Sequence, residues 1–189
     1  MLLVVRRLLV VAGLAVLAWI FVVPSCSTRF GCAATGIDAY ADSGSCPDNS
    51  QAAAQNAVWA ADRIGAIADE DITTGLLYDE DGNEEKITSG RNGAYDSALS
   101  HLEPYAGSLL RDKPPGSQVA EHVEAKAAAV LRDAEQAHGV LLINNPDGPC
   151  GYASGIGCTA AIELILPKGT AMDVWWPRGH HRYSGKAQR

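Results

Sequence analysis

His122-Val123-Glu124 opens a stretch that runs through an alanine-rich segment to Asn144-Asn145-Pro146-Asp147-Gly148-Pro149-Cys150 and closes at Cys158. Residues two apart on an ideal helix point to nearly opposite sides. His122 and Glu124 therefore share a site only where the chain enters a helix, an entry placed near Glu121. Behind it, Val123, Ala127, Val130, Leu131 and Ala134 recur at helical spacing and predict a core-facing stripe, with Gly139 as the stop. Residues 140–144, Val-Leu-Leu-Ile-Asn, then read as a short buried strand. That strand delivers residues 145–150 as a loop at its carboxyl end, where α/β folds place their sites. Cys158 opens a second helix over residues 159–166, which Pro167 ends. The amino terminus of a helix favours a thiolate.

One imidazole nitrogen and two thiolates suit a tetrahedral zinc ion with its fourth position open to water. The carboxylate beside the histidine is then a proton carrier rather than a ligand, the pattern of the zinc nucleobase deaminases. Another reading exists for the two cysteines: in an exported chain, Cys150 and Cys158 could close a small disulfide loop. The ordered set of helix start, strand, Asn-rich loop and Pro-Cys favours zinc, held by His122, Cys150 and Cys158, with Glu124 as the catalytic acid–base.

On these residues the chain resembles the bacterial toxin deaminases of the cytidine-deaminase superfamily, the family that includes a double-stranded DNA cytosine deaminase toxin. The match rests on His122-Val123-Glu124, Asn144-Asn145-Pro146, Pro149-Cys150, Cys158 and Leu166-Pro167-Lys168-Gly169, with an upstream hairpin ending in Ser89-Gly90, and it spans residues 73–177. One departure is plain. The usual signature has two residues between its cysteines, whereas residues 151–157 intervene here. The resemblance implies a three-layer α/β/α sandwich and hydrolytic deamination of cytosine to uracil in DNA. It also implies a zinc-activated water, a toxin acting in a target cell, and an immunity protein in the producer.

Residues 1–23 carry Arg6 and Arg7 ahead of an almost wholly apolar run, which reads as a signal peptide or a single membrane anchor. Either directs export, the domain being secreted if the segment is cleaved and held by an amino-terminal membrane association if it is not. Residues 24–71 read as a linker with one Ala-rich helix over residues 52–68, and residues 72–189 as the deaminase domain. The five cysteines leave three outside the zinc set. If Cys26, in a sequence that loosely resembles a lipoprotein cleavage site, carries lipid, then Cys32 and Cys46 are left to pair; otherwise Cys26 is free or joins another chain.

Within the domain, residues 73–88 form a hairpin about Asp81-Gly82-Asn83. Residues 94–102 form a short helix, and residues 105–117, with prolines nearby, a loop able to cover the site. Residues 172–176 read as the last strand, with Val174 and Trp176 on one face and Trp175 on the other, placed as core or as a stacking surface for a base. Arg178, Arg182, Lys186 and Arg189 then form a basic tail, either disordered or tracking phosphates. His101 and His138 have no partner legible in the sequence. Asn144 and Asn145 are candidates for binding sugar or base, or for capping the turn, and Ser89 for lining the pocket.

The net charge of −7 excludes a protein that coats nucleic acid non-specifically. It leaves room for an enzyme gripping a few nucleotides, and tilts the DNA expectation toward single strands. Two further readings compete: a non-catalytic zinc- or disulfide-stabilised binding module at the cell surface, and a deaminase of free nucleosides.

Overall fold

The computed structural model describes residues 29–32, 46–105, 116–151 and 157–188. The expected leader, Cys26 and most of the 105–117 loop lie outside the described residues. Two short helices, α1 (Ser50–Ala54) and α2 (Ala57–Gly65), precede a hairpin of β1 (Thr74–Tyr78) and β2 (Glu84–Thr88). Helices α3 (Tyr95–Leu102), α4 (Gly116–Ala120) and α5 (Val123–Asp133) lead to β3 (His138–Ile143), and α6 (Cys158–Ile165) precedes β4 (Ala171–Trp176) and β5 (Gly179–Ser184). Among the described residues no helix is long and apolar enough to cross a membrane.

The sheet order is β2-β1-β3-β4-β5. Only β3 and β4 pair in parallel; the other neighbours are antiparallel. Every residue of the central strand β3 is buried, which is why it reads as an unbroken apolar run rather than an alternation. Edge strand β2 instead exposes Glu84, Glu85 and Lys86, charges that discourage pairing with another chain. Period-two alternation divides the sheet's side chains between two cores. Leu77, Leu141, Ile143, Met172, Val174 and Trp176 face α3, α5 and α6. Leu76, Tyr78, Val140 and Leu142 face α1, α2 and Phe30. Helices on both faces make the three layers expected from the resemblance.

The hairpin turn forms as the sequence indicates. Asp79 Oδ1 accepts from the backbone N–H groups of Asp81 and Asn83, each at 2.9 Å, and Gly82 takes φ +78. Elsewhere the structure corrects the sequence reading. The single Ala-rich helix is two, because Asn56 caps a new start, its Oδ1 accepting from Trp59 N–H at 3.0 Å. Asparagine suits such a cap better than a helix interior. Both helices pack on the sheet. Trp59 lies within 5.1 Å of the Tyr78 ring and 6.1 Å of the Phe30 ring, centroid to centroid, and the expected linker supplies most of the second core.

Helix α5 ends at Ala134 and Glu135, the latter at φ +55, not at Gly139. Gly139 sits inside β3, where a Cβ would come within 2.7 Å of the Leu131 side chain, so glycine there admits the helix rather than stopping it. Most of the expected basic tail forms an ordered strand: β5 pairs with β4 from Trp176↔Gly179 to Ala171↔Ser184 and buries Tyr183, while Arg189 lies outside the described residues. Its bases are engaged, Arg178 with Asp147 at 3.2 Å, Arg182 with Asp173 at 2.9 Å and Lys186 with Glu163 at 2.6 Å. His101 pairs with Asp133 at 2.8 Å. His138 is buried, bridging Ser50 Oγ and Asp173 at 2.7 Å each.

Candidate active site

The site assembles at the amino ends of α5 and α6. His122 is the N-cap of α5 and is extended, at φ −81 and ψ 145, while Glu124 lies in the first helical turn. The break in helical geometry between them turns the two side chains into one site, as their spacing requires. Glu124 is 2 % exposed. Burial raises its carboxyl above the ordinary carboxylate range, against the opposing pull of its own backbone N–H and of His122.

Cys158 begins α6 and stands behind Glu124, fully buried. His122 Nδ1 is 2.9 Å from Cys158 Sγ, and the two sulfurs are 2.7 Å apart. Both cysteines are free, and a disulfide bond would measure about 2.05 Å. Cys158 N–H donates to Cys150 Sγ at 3.1 Å and to Cys150 O at 3.0 Å, so the Cys150 sulfur rests on the amino terminus of α6. A hydrogen bond from Cys158, opposed by burial and reinforced by His122, draws the Cys150 thiol down to about 4. The same hydrogen bond and its own burial push Cys158 up. The hydrogen bond to Cys150 outweighs burial to raise His122.

Residues 152–156 lie outside the described residues, yet both ends of the seven-residue spacer are placed: the two sulfurs meet despite the longer spacing. Gly157 makes the closure possible. Its φ is +74, and a Cβ there would stand 2.9 Å from Cys150 Sγ. The ligating atoms of His122, Cys150 and Cys158 all lie within 4.8 Å of one another. One imidazole and two thiols converging to this degree fit a zinc ion with a fourth position free. A dication would replace the protons these groups now share.

Two of the donors, His122 and Cys150, open onto a cavity of about 410 Å³, while Cys158 lies buried behind it. His122, Glu124 and Cys150 line its floor, and Thr73, Ser89, Gly90, Glu121 and Asn145 its walls. Ser89 and Asn145 are thus where the sequence placed them, although Asn145 also closes its own turn, donating to Gly148 O at 2.7 Å. Asn144 does not reach the cavity. Its Oδ1 accepts from Thr74 N–H at 2.9 Å and its Nδ2 donates to the carbonyls of Ile67 and Ile72 at 3.2 Å. That amide ties β3 to the segment before β1 and has nothing left for a substrate. Thr73, Gly90 and Glu121 were not among the candidate site residues read from the sequence. Glu121 could have been suspected from its place beside His122; Thr73 carries no local signal. Cys32 and Cys46, far from this site, are joined with Cα atoms 6.2 Å apart.

A mixed sheet between helices, with His-x-Glu on one helix start and a second cysteine on the next, is the architecture of the deaminases of the cytidine-deaminase type. The chain belongs to the SCP1.201-like deaminase family, whose sequence model matches residues 44–189. It is also 35 % identical over 65 residues to the double-stranded DNA deaminase toxin A of Burkholderia cenocepacia (strain H111). That match takes in 34 % of this chain and 4 % of the much longer toxin.

Proposed function

We propose that the protein is a zinc-dependent toxin-type deaminase that converts cytosine to uracil in DNA. The observation that carries this is the convergence of the His122, Cys150 and Cys158 donors beside a buried Glu124 on the floor of an open cavity. His122, Cys150 and Cys158 would hold the zinc, which when bound supplies a water acidic enough to attack at neutral pH. Glu124 accepts one proton of the attacking water and delivers it to the ring nitrogen beside C4, then takes the second proton from the new C4 hydroxyl and passes it to the departing amino group. Water adds to C4, ammonia leaves and uracil remains. The cavity walls keep the ring in reach, and Asn145 and Ser89 offer polar contacts to base or sugar.

The cavity is recessed, so C4 reaches it only from an unstacked base. In a duplex that base must be flipped out, at a cost of a few kcal/mol. Single-stranded DNA meets the requirement directly, and the paired state of Arg178, Arg182 and Lys186 leaves the tail little charge for opening a duplex. The relative's name, which specifies double-stranded DNA, supports duplex DNA as a second reading. The leader in residues 1–23, with the toxin relative, supports export toward a target cell and a dedicated immunity partner in the producer.

A uracil-excision assay on matched single-stranded, duplex and RNA strands, with free cytidine alongside, tests the proposal. Uracil in DNA strands is the expected result, fastest in single strands. Turnover of free cytidine alone would replace the toxin reading with a nucleoside enzyme. No turnover of any substrate by zinc-loaded protein would leave a binding module.

A further inference from the structure

Lys126 lies one turn beyond His122 on α5 and is wholly buried. Its ammonium donates to the carbonyls of Thr88, of Gly90 at 3.0 Å and of Asn92 at 3.2 Å, and to Asn92 Oδ1 at 2.6 Å. Four oxygens around three N–H donors leave the group fully engaged. A buried charge persists only where it is met in this way. All four acceptors belong to one segment, residues 88–92, so a single cation gathers a loop as a bound metal ion would.

That segment is a wall of the cavity, through Ser89 and Gly90. It is fastened from the other side as well. Ser89 N–H donates to Thr73 O at 2.9 Å, Gly90 N–H to Glu121 O at 2.8 Å, and Arg91 to the Glu121 carboxylate at 2.7 Å. These amides and the carbonyls of Thr88, Gly90 and Asn92 are committed, and the Thr88 hydroxyl and Ser89 carbonyl accept from Asn92 Nδ2 at 3.3 and 3.4 Å, while Ser89 also carries a hydroxyl on this cavity-lining segment. That hydroxyl has no protein partner among the described residues.

We infer that Lys126 is a positioning residue: it holds residues 88–92 so that the Ser89 hydroxyl meets the polar edge of a pyrimidine base in the cavity. The inference rests on the deaminase reading of this site and assigns base selection to the wall rather than to the floor.

The test uses the zinc-loaded full chain carrying Glu124→Gln, so that a bound strand is not converted. Lys126→Met, Asn92→Ala and Ser89→Ala are compared in that background. Two quantities are read: amide hydrogen exchange over residues 88–92, and affinity for a fluorescein-labelled single-stranded oligonucleotide with one cytosine against the same strand with thymine there. Lys126→Met and Asn92→Ala are expected to speed exchange in the wall. Each should reduce the cytosine preference about tenfold, the loss of one well-made hydrogen bond, as Ser89→Ala does with exchange unchanged. Zinc content stays constant throughout. A lowered Tm in Lys126→Met with exchange and base preference intact would reduce Lys126 to a fold residue. If Lys126→Met does not fold, Asn92→Ala on the exposed loop decides. If the parent binds neither strand and the wild-type chain deaminates neither, the reading of the site fails. The exchange comparison then still decides whether Lys126 holds the wall.

Discussion

Glu124 occupies the first turn of α5, where the helix dipole favours a negative charge while burial opposes it. A carboxyl balanced in this way gives and takes protons readily, and Gln at the same position keeps its size but carries no proton. Glu124→Gln is therefore expected to retain zinc and fold while losing about 10²–10⁴-fold in turnover. Metal analysis beside the uracil assay checks it, and loss of zinc would instead make Glu124 a ligand. Cys150→Ser removes one of the three donors and is expected to abolish stoichiometric zinc, with a lowered melting temperature, since metal binding is coupled to folding; zinc content equal to wild type would remove Cys150 from the ligand set. At this scale the sequence was informative wherever a residue's role depended on its neighbours along the chain. His122 and Glu124 were placed correctly because helical geometry allows them only one kind of junction. Asn144 could not be, because its amide is satisfied by Ile67, Ile72 and Thr74, from a segment some 70 residues away. Lys126 was invisible for the same reason: its acceptors come from the turn after β2.

Among the elements, β3, α5 and α6 were legible because each has a continuous apolar or helical signature. β5 was not, since Gly-His-His-Arg-Tyr-Ser is polar at nearly every position and holds its place by pairing with β4 and by Asp173. That buried carboxylate accepts from His138 at 2.7 Å, His180 at 2.8 Å and Arg182 at 2.9 Å, linking β3, β4 and β5, while His138 carries the connection on to Ser50 of α1. Burial would raise Asp173, but the hydrogen bonds from His138 and His180 and the charge of Arg182 outweigh it, and its pKa is lowered. A carboxylate lowered on folding contributes stability that is complete above its unfolded pKa of about 3.9. The contribution is lost as pH falls through the folded value. Asp173→Asn is expected to cost about 1.5–3 kcal/mol at neutral pH, the loss of hydrogen bonds to a charged acceptor, since Arg182, the charged partner left behind, is half exposed. The gap from wild type should narrow as the pH falls below about 4. Urea unfolding at a series of pH values measures both, and a gap that stays constant into acid would mean that Asp173 is not the titrating group.

Across the whole molecule, the sequence outlined the half that carries the candidate site and underestimated the other. The second core, built from Phe30, Trp59, Ile64 and Tyr78, draws on residues that look like an exported linker because alanine, glycine and serine dominate their surroundings. Its first contributor, Phe30, lies only a few residues after the apolar leader. Protease accessibility on intact producing cells is expected to find the domain outside the membrane, with Arg6 and Arg7 retained inside; a domain protected until lysis would contradict that orientation.

The disulfide between Cys32 and Cys46 tests how the two halves depend on each other. It spans a sequence separation of 14 and anchors the segment carrying Phe30. A toxin that folds outside the cell and works in a reducing cytoplasm would lose this bond on arrival. Phe30 would still be held by its rings and backbone: Trp59 Nε1 donates to Phe30 O at 2.8 Å and Phe30 N–H to Gly82 O at 2.8 Å. The candidate metal donors sit on the opposite face of the sheet, at α5 and α6. The double replacement of Cys32 and Cys46 by serine is therefore expected to cost about 3 kcal/mol, the entropy of a loop of this length. For a domain of this size that is a fall in Tm of about 10 °C. Zinc content and turnover at 25 °C should be unchanged. Thermal melts of the double variant under oxidising conditions, paired with metal analysis, check the two claims together. Loss of zinc in a variant that remains folded would show that the second core supports the site directly, and that reduction in a target cell would disarm the enzyme.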